Sequence, residues 1–336
     1  MAKVAFLFLN RHEVEGLLPD MATVMEIVEG GLAAHGRGDV VLPPKSHIHL
    51  DDRFNGHFNV LPGYAGHVKR AGVKVVGDYV DNYRHGLPSE VALLTIYDPA
   101  TGIPLCLMDA TVLTWARTGA VTGIGAKHLA RQDASVVGHI GARGTAMTNL
   151  KAIAACRPIR EVRIASKRPE TRQALAARVE EELGIRATPV TDAGEAADGA
   201  DIVVEATRLE AASDLICEAM IKPGALLVTY GWVRAVAEGL ATGVDRLVVD
   251  DWEQCTKGGT FADLIAAGRL TRDGLYAEIG EICAGTKSAR NDDRERITFW
   301  HRGFAISDIV LGNAIHGRAV ESGMGRELLL WDGPDE

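Results

Sequence analysis

The sequence predicts an α/β protein in two parts, with a parallel α/β unit inserted into an α+β unit. Between residues 125 and 303, strand-like and helix-like segments alternate, which is the pattern of parallel βαβ units. Residues 42–97 instead carry short β runs broken by Pro43-Pro44, Pro62-Gly63, Gly86-Leu87-Pro88 and Asp98-Pro99, the pattern of an antiparallel sheet. A long apolar helix at 303–323 belongs to neither the alternation nor a tail and is expected to fold back on the first part. The expected boundaries are residues 1–124 plus 304–336 for the outer part and 125–303 for the insert.

At 336 residues the chain is long enough for two cores of roughly 150 residues each. Hydrophobic residues at 47% and charged residues at 24% exclude disorder and fibrous repeats. With 36 Lys and Arg against 45 Asp and Glu the net charge is −9, which repels a phosphate backbone, so no nucleic-acid partner is expected. Cys106, Cys156, Cys217, Cys255 and Cys283 form no C-x-x-C pair, so neither a disulfide framework nor a zinc knuckle is suggested and a cytoplasmic setting is expected. The apolar run at 4–9 is too short for a signal segment or a membrane span, and no membrane partner is expected.

In chain order, residues 4–9 read as a strand, and Asn10 with Glu13 forms a capping box for a short helix. Asp20 caps an amphipathic helix with Met21, Val24, Ile27, Val28, Leu32 and Ala33 on one face, closing at Gly36 and Gly38. Strand-like runs follow at 58–61, 73–76 and 91–96, then a helix over 111–128. The insert is expected to hold strands at 135–140, 161–165, 187–190, 201–206, 226–230 and 246–250, with helices at 145–155, 170–183 and 193–197. The acidic end, 331–336, reads as a solvated tail.

The run Val136-Val137-Gly138-His139-Ile140-Gly141-Ala142-Arg143-Gly144-Thr145-Ala146 follows a strand and opens a helix, as a dinucleotide-binding turn does. A pyrophosphate there would meet Gly141, Ala142, Arg143, Gly144 and Thr145 on the free N–H groups and positive dipole end of the helix. The spacing is G-x-R-x-x-A, with Arg143 at the place of the usual second glycine. Either Arg143 turns outward to clamp the phosphate or the turn serves only packing. The next strand ends in Ser166-Lys167-Arg168 with no carboxylate before Glu170, which favours the 2′-phosphate of NADP over the bare ribose of NAD; the alternative is a solvated basic turn. Thr207, ending a later strand, either touches the nicotinamide side or caps a turn. The insert thus reads as a Rossmann dinucleotide-binding domain.

The runs Gly72-Val73-Lys74-Val75-Val76, Gly86-Leu87-Pro88, Asp98-Pro99-Ala100-Thr101-Gly102-Ile103-Pro104-Leu105, Met108-Asp109-Ala110 and Leu113-Thr114-Trp115-Ala116-Arg117-Thr118-Gly119-Ala120 closely resemble the ornithine cyclodeaminase and mu-crystallin family in order and spacing. Pro43-Pro44, the turn at Gly141, Asp201 with Thr207, and Gly303 through Asp308 extend the resemblance over nearly the whole chain. It implies a homodimer with a nicotinamide-binding Rossmann domain inserted into an α+β substrate and dimerisation domain made from both chain ends. Members act on amino acids or cyclic imino acids, as cyclodeaminases, alanine dehydrogenases and reductases of ketimines or of pyrroline and piperideine carboxylates.

The resemblance makes Arg117 the carboxylate-binding arginine, whose planar fork suits two oxygens, and Lys74 the active-site lysine; these two are the expected catalytic residues. Lys45 stands where an arginine usually follows the two prolines, keeping the charge and losing the fork. Thr118, Thr207, Tyr230 and Gly231 complete the expected cofactor contacts. Two carboxylates of the cyclodeaminases have no counterpart here: the turn at 229–238 puts Val233 or Trp232 at the aspartate position, and Asn59 replaces a glutamate. Asn59 and Trp232 are expected among the substrate contacts, although Trp232 reads equally as packing.

Losing both carboxylates argues against ornithine cyclisation and for hydride transfer between NADPH, with NAD as the alternative cofactor, and a C=N bond beside a carboxylate. The expected substrate is a small α-imino acid or the corresponding amino acid. An ornithine-type cyclodeaminase with tightly bound NAD and a non-catalytic NADPH-dependent binding protein are the rival readings. No metal is expected: His47 and His49, followed by Asp51 and Asp52, have ligand spacing, but no second cluster completes a site by spacing and the resemblance implies none. Asp109 and Asp308, at element ends, read as helix caps, and His85 as a solvated loop residue.

Overall fold

The computed structural model describes residues 3–209, 212–231, 234–258 and 260–333. They fall into two compact units, Met1–Arg117 with Phe304–Glu336 and Thr118–Gly303. The helix Thr111–Leu129 is continuous across that boundary.

In the first unit, β1 (Val4–Leu9), β2 (Val40–Val41), β3 (Ser46–His49), β4 (Gly56–Ala65), β5 (Arg70–Tyr79), β6 (Glu90–Tyr97) and β7 (Pro104–Asp109) form one sheet with a C-terminal strand, Arg326–Trp331. The order is C-terminal strand, β1, β7, β6, β5, β4, β2, with β3 also paired to β4. All pairs are antiparallel except β1 with β7. Leu61, Lys74, Leu94 and Met108 oppose one another across β4 to β7 and therefore share a face.

The helix Ala305–Ser322 lies on that face, so closely that a Cβ at Gly72 would stand 2.8 Å from Ile309 Cγ1. The helix Met21–Gly36 backs it through Gly31 and Val310. The capping box at Asn10 and Glu13 forms as expected. The reading of a tail from 331 onward needs correction: Trp331 ends a strand paired with β1, and 334–336 lie outside the described residues. That strand is exposed at most positions and held by backbone pairing, so hydropathy gives no sign of it.

In the second unit, β8 (Val136–Ile140), β9 (Glu161–Ala165), β10 (Arg186–Val190), β11 (Ile202–Glu205), β12 (Leu226–Tyr230), β13 (Arg246–Val249), β14 (Ala277–Glu278) and β15 (Ile297–His301) make a second sheet. Its order is β10-β9-β8-β11-β12-β15-β13-β14, and every pair is parallel. The apolar strands β11, β13 and β15 are buried at every position, as a sheet covered on both faces requires. Strand order reverses direction between β8 and β11, and sheets of this kind bind ligands beyond the carboxyl ends of the strands at such a point. β15 is absent from the expected strands because it follows the charged run Asp292-Asp293-Arg294-Glu295-Arg296, which reads as loop. Among the described residues no helix is long and apolar enough to cross a membrane.

Candidate functional site

In the first unit, ionisable side chains from three elements meet. Lys74 Nζ donates to Asp308 Oδ1 at 2.7 Å and to Thr114 Oγ1 at 3.1 Å, and Arg117 Nε donates to the same Asp308 oxygen at 3.0 Å. Lys74 is 1% exposed, Asp308 0% and Arg117 7%. Strand β5 sets Lys74 on the helix-covered face, while Thr114 and Arg117, three residues apart, share a face of their helix. Asp308 lies in the first turn of Ala305–Ser322, where the helix dipole favours a carboxylate.

The reading of Asp308 as a cap needs correction. Phe304 occupies the N-cap position and no side chain caps that helix; Asp308 instead bridges the two cations, with Oδ2 buried and lacking a hydrogen-bond partner among the described residues. Asp109 does cap, its Oδ1 accepting from the N–H of Thr111 at 3.1 Å and of Val112 at 3.4 Å. Two cations sharing one carboxylate leave a surplus positive charge in a desolvated place. Burial and then the Arg117 charge push the Lys74 amine down to about 8, against the opposing pull of Asp308. Such an amine can exchange protons near neutral pH. Arg117 reaches Asp308 through Nε, not through the terminal nitrogens that grip a bidentate carboxylate.

In the second unit, β8 ends at Gly141 with φ +103°, where a Cβ would stand 2.6 Å from the Ala206 carbonyl oxygen. Only glycine permits that approach of the chain leaving β8 to the chain leaving β11. Gly144 has φ +58° and open space where a Cβ would be, Ala142 is half-buried, and Arg143 is exposed, so no packed side chain fills the turn at the departure from the glycine pattern. Thr145 precedes the helix Ala146–Cys156 without capping it, because its hydroxyl pairs with the Tyr230 hydroxyl at 2.5 Å. Thr118 is buried one residue before Gly119, where a Cβ would stand 2.6 Å from Thr148.

A buried polar chain supports this turn. Asn149 Nδ2 donates to the Tyr230 hydroxyl at 3.1 Å and lies 3.2 Å from His139 Nε2, while His139 Nδ1 lies 2.7 Å from the Gly141 carbonyl oxygen. A carbonyl only accepts, so His139 carries its proton on Nδ1 and receives the Asn149 N–H on Nε2. Burial drives its pKa down to about 4, keeping the ring neutral. Tyr230 stacks on His301 at 5.0 Å, and the Gly231 N–H donates to the His301 carbonyl at 3.1 Å. His139 and Asn149 were not among the expected site residues; a histidine inside an apolar strand that must be buried was the available signal.

At the end of β9, Ser166 Oγ donates to the Arg168 carbonyl at 3.0 Å, and Lys167 and Arg168 are exposed. Arg172, which no motif in the sequence marks, donates to the Ser166 carbonyl at 2.8 Å and adds a third cation there. The Thr207 N–H donates to Glu205 Oε1 at 2.7 Å, its hydroxyl bonds the same oxygen, and Thr229 Oγ1 donates to Glu205 Oε2 at 3.2 Å. Burial raises the Glu205 pKa. Asp201 takes the backbone N–H of Ser135 at 2.8 Å and of Val136 at 3.0 Å, tying the starts of β8 and β11.

Asn59 shares the sheet face of Lys74, opposite Val76, and Lys45 stands half-buried just before β3. Trp232 and Val233 lie outside the described residues, as do the side chains of Asp51 and Asp52.

A parallel sheet with a glycine-lined turn at its switch point, inserted into a mixed α+β unit with a buried cationic cluster, defines a two-part protein of the Rossmann class. The chain belongs to the ornithine cyclodeaminase/mu-crystallin family, which it matches over residues 5–323. It is 30% identical to alanine dehydrogenase of Archaeoglobus fulgidus over 96% of this chain and 98% of that one. The solved Delta(1)-pyrroline-2-carboxylate reductase of Thermococcus litoralis, in complex with NADH and L-proline, is 31% identical with a TM-score of 0.89, covering 96% of this chain and 99% of that one. An archaeal alanine dehydrogenase dimer with bound NAD is 29% identical with a TM-score of 0.89, covering 97% and 100%. The resemblance read from the runs around Lys74 and Arg117 therefore holds.

Proposed function

We propose that the protein reduces the C=N bond of a small α-imino acid, or oxidises the corresponding amino acid, with a nicotinamide dinucleotide as cofactor. The observation that carries this reading is the buried Lys74–Asp308–Arg117 cluster, whose surplus charge suits a carboxylate. Arg117 takes the substrate carboxylate, Lys74 holds or delivers the proton at the substrate nitrogen, and Asp308 fixes both cations while offering Oδ2 as an acceptor for a substrate N–H. Lys45 and Asn59 stand in the adjoining segments as further substrate contacts. The rigid approach at Gly141 and the open position at Gly144 fit a pyrophosphate held by Gly141, Ala142, Gly144 and Thr145, with Arg143 free of the packing to clamp it. Thr118, Thr207, Tyr230 and Gly231 complete that cradle. When bound, the nicotinamide supplies or accepts the hydride.

Lys167, Arg168 and Arg172 support NADPH over NADH, although the two solved relatives carry NADH and NAD. The exposed apolar residues Val75, Val91 and Leu93, on the sheet face opposite Lys74, support a homodimer, and the spacing of Cys106, Cys156, Cys217, Cys255 and Cys283, with no C-x-x-C pair, suits a reducing cytoplasm. The test is a panel of cyclic imines, and of ketoacids with ammonia or methylamine, followed by nicotinamide absorbance with each cofactor. Turnover of carboxylate-bearing imines is expected. Ammonia release from ornithine with no net absorbance change would replace the reading with a lyase, and cofactor binding without any turnover would replace it with a binding protein.

A further inference from the structure

We propose that His47, His49 and His57 form a binding site for one first-row transition dication, with zinc as the representative ion. The antiparallel register of β3 and β4 sets His49 opposite His57 and His47 opposite Asn59, so the three imidazoles share one sheet face. Their ring centroids are 5.6 Å apart for His47 and His49, 6.1 Å for His49 and His57, and 6.5 Å for His47 and His57. Around a tetrahedral ion with Zn–N bonds of about 2.1 Å, imidazole centroids stand roughly 5.3 Å apart. Binding therefore requires side-chain rotations that bring the three ring nitrogens together, with the strand pairing left as it is.

Neutral imidazole is the commonest protein ligand for such ions, and two ligands at i and i+2 on one strand with a third from the neighbouring strand converge without a special loop. The spacing argument against a metal fails because the third ligand comes from across the β3–β4 connection, not from a second local cluster. Asp78, 9% exposed, stands opposite His57 on β5, the register position of an outer carboxylate that orients a metal-bound ring. Three neutral protein ligands leave a fourth position for water or another small oxygen or nitrogen donor, and the ion keeps its full charge in a chain of net charge −9. Binding would pin β3 to β4, the segment that carries Lys45 at one end and Asn59 within it. The proposal does not depend on the assigned oxidoreductase activity.

The test titrates zinc chloride into the EDTA-treated, dialysed full chain by calorimetry and repeats the experiment with cobalt(II), whose tetrahedral complexes absorb visible light. One zinc per chain is expected. His49→Gln and His57→Gln, singly and together, are expected to weaken it by more than the roughly 10–100-fold typical of losing an outer-shell partner and to abolish the cobalt band. The single variants, checked by circular dichroism, keep the test decisive if the double variant fails to fold. No zinc binding by the parent chain, or binding and a cobalt band unchanged in the variants, would overturn the proposal.

Discussion

Lys74 is buried in a sheet face, yet its amine is not wholly committed to Asp308: burial and Arg117 bring its pKa down to about 8. In the proposed reaction the protonated form neutralises a carboxylate and delivers a proton. Reductive kcat/KM is thus expected to fall as pH rises through about 8 and the oxidative rate to rise, as a pH profile in both directions would read. Lys74→Met removes the group and is expected to lower reductive kcat/KM by about 10²–10⁴-fold. Because the folded pKa is depressed, Lys74 costs stability at pH below about 8, and the cost fades as pH rises toward the ordinary value of 10.5.

Asp308→Ala leaves two buried cations without their shared partner, and a loss of about 3–5 kcal/mol is expected in denaturant unfolding. The sequence exposes Lys74 and Arg117 through their family positions. It hides the role of Asp308, because the partners lie 234 and 191 positions away and the local context is that of a helix start.

At the scale of elements, most strands and helices are legible because periodicity changes where the architecture changes. The capping box at Asn10, the glycine stop of Met21–Gly36 and the strand–turn–helix at Gly141 are local signals, and local chemistry decides them. Several strands are not legible, among them β2, β7, β14, β15 and the C-terminal strand. β15 has a charged approach, and the C-terminal strand depends on pairing with β1 at the far end of the sequence.

The turn after β8 is the element whose geometry is most demanding. Gly141→Ala forces a side chain into φ +103° and against the Ala206 carbonyl; a cost of about 1–3 kcal/mol is expected. Cofactor affinity should weaken in fluorescence titration. The same turn rests on neutral His139. Its folded pKa of about 4 against 6.5 means stability is present above about 6.5 and is lost as pH falls toward 4, by about 3 kcal/mol. His139→Gln is expected to flatten that slope in unfolding curves measured across this range.

At the scale of the whole molecule, the insertion is legible in the order of textures along the chain: β-rich, then alternating, then one apolar helix. The polar chain from His139 through Asn149 to Tyr230 is not legible, since it joins a strand, a helix and a second strand by hydrogen bonds that no periodicity records. The proposed homodimer rests on surface chemistry. Val75 opposes Leu93, and these two with Val91 expose apolar area on one sheet face. Leu93→Glu is expected to convert a dimer of twice 35.9 kDa into a monomer in light scattering.

The proposal that joins these scales is that Arg117, fixed beside Lys74 by Asp308, takes the carboxylate of the reacting molecule. Its most direct measurement compares kcat/KM for a cyclic imine bearing a carboxylate with that for the same ring lacking it, in the parent chain and in Arg117→Met. The parent is expected to favour the carboxylate-bearing ring by about 10²-fold or more, corresponding to a charge-assisted contact of roughly 3 kcal/mol, and Arg117→Met to abolish the preference. Equal turnover of both rings by the parent chain, or an undiminished preference in Arg117→Met, would contradict it.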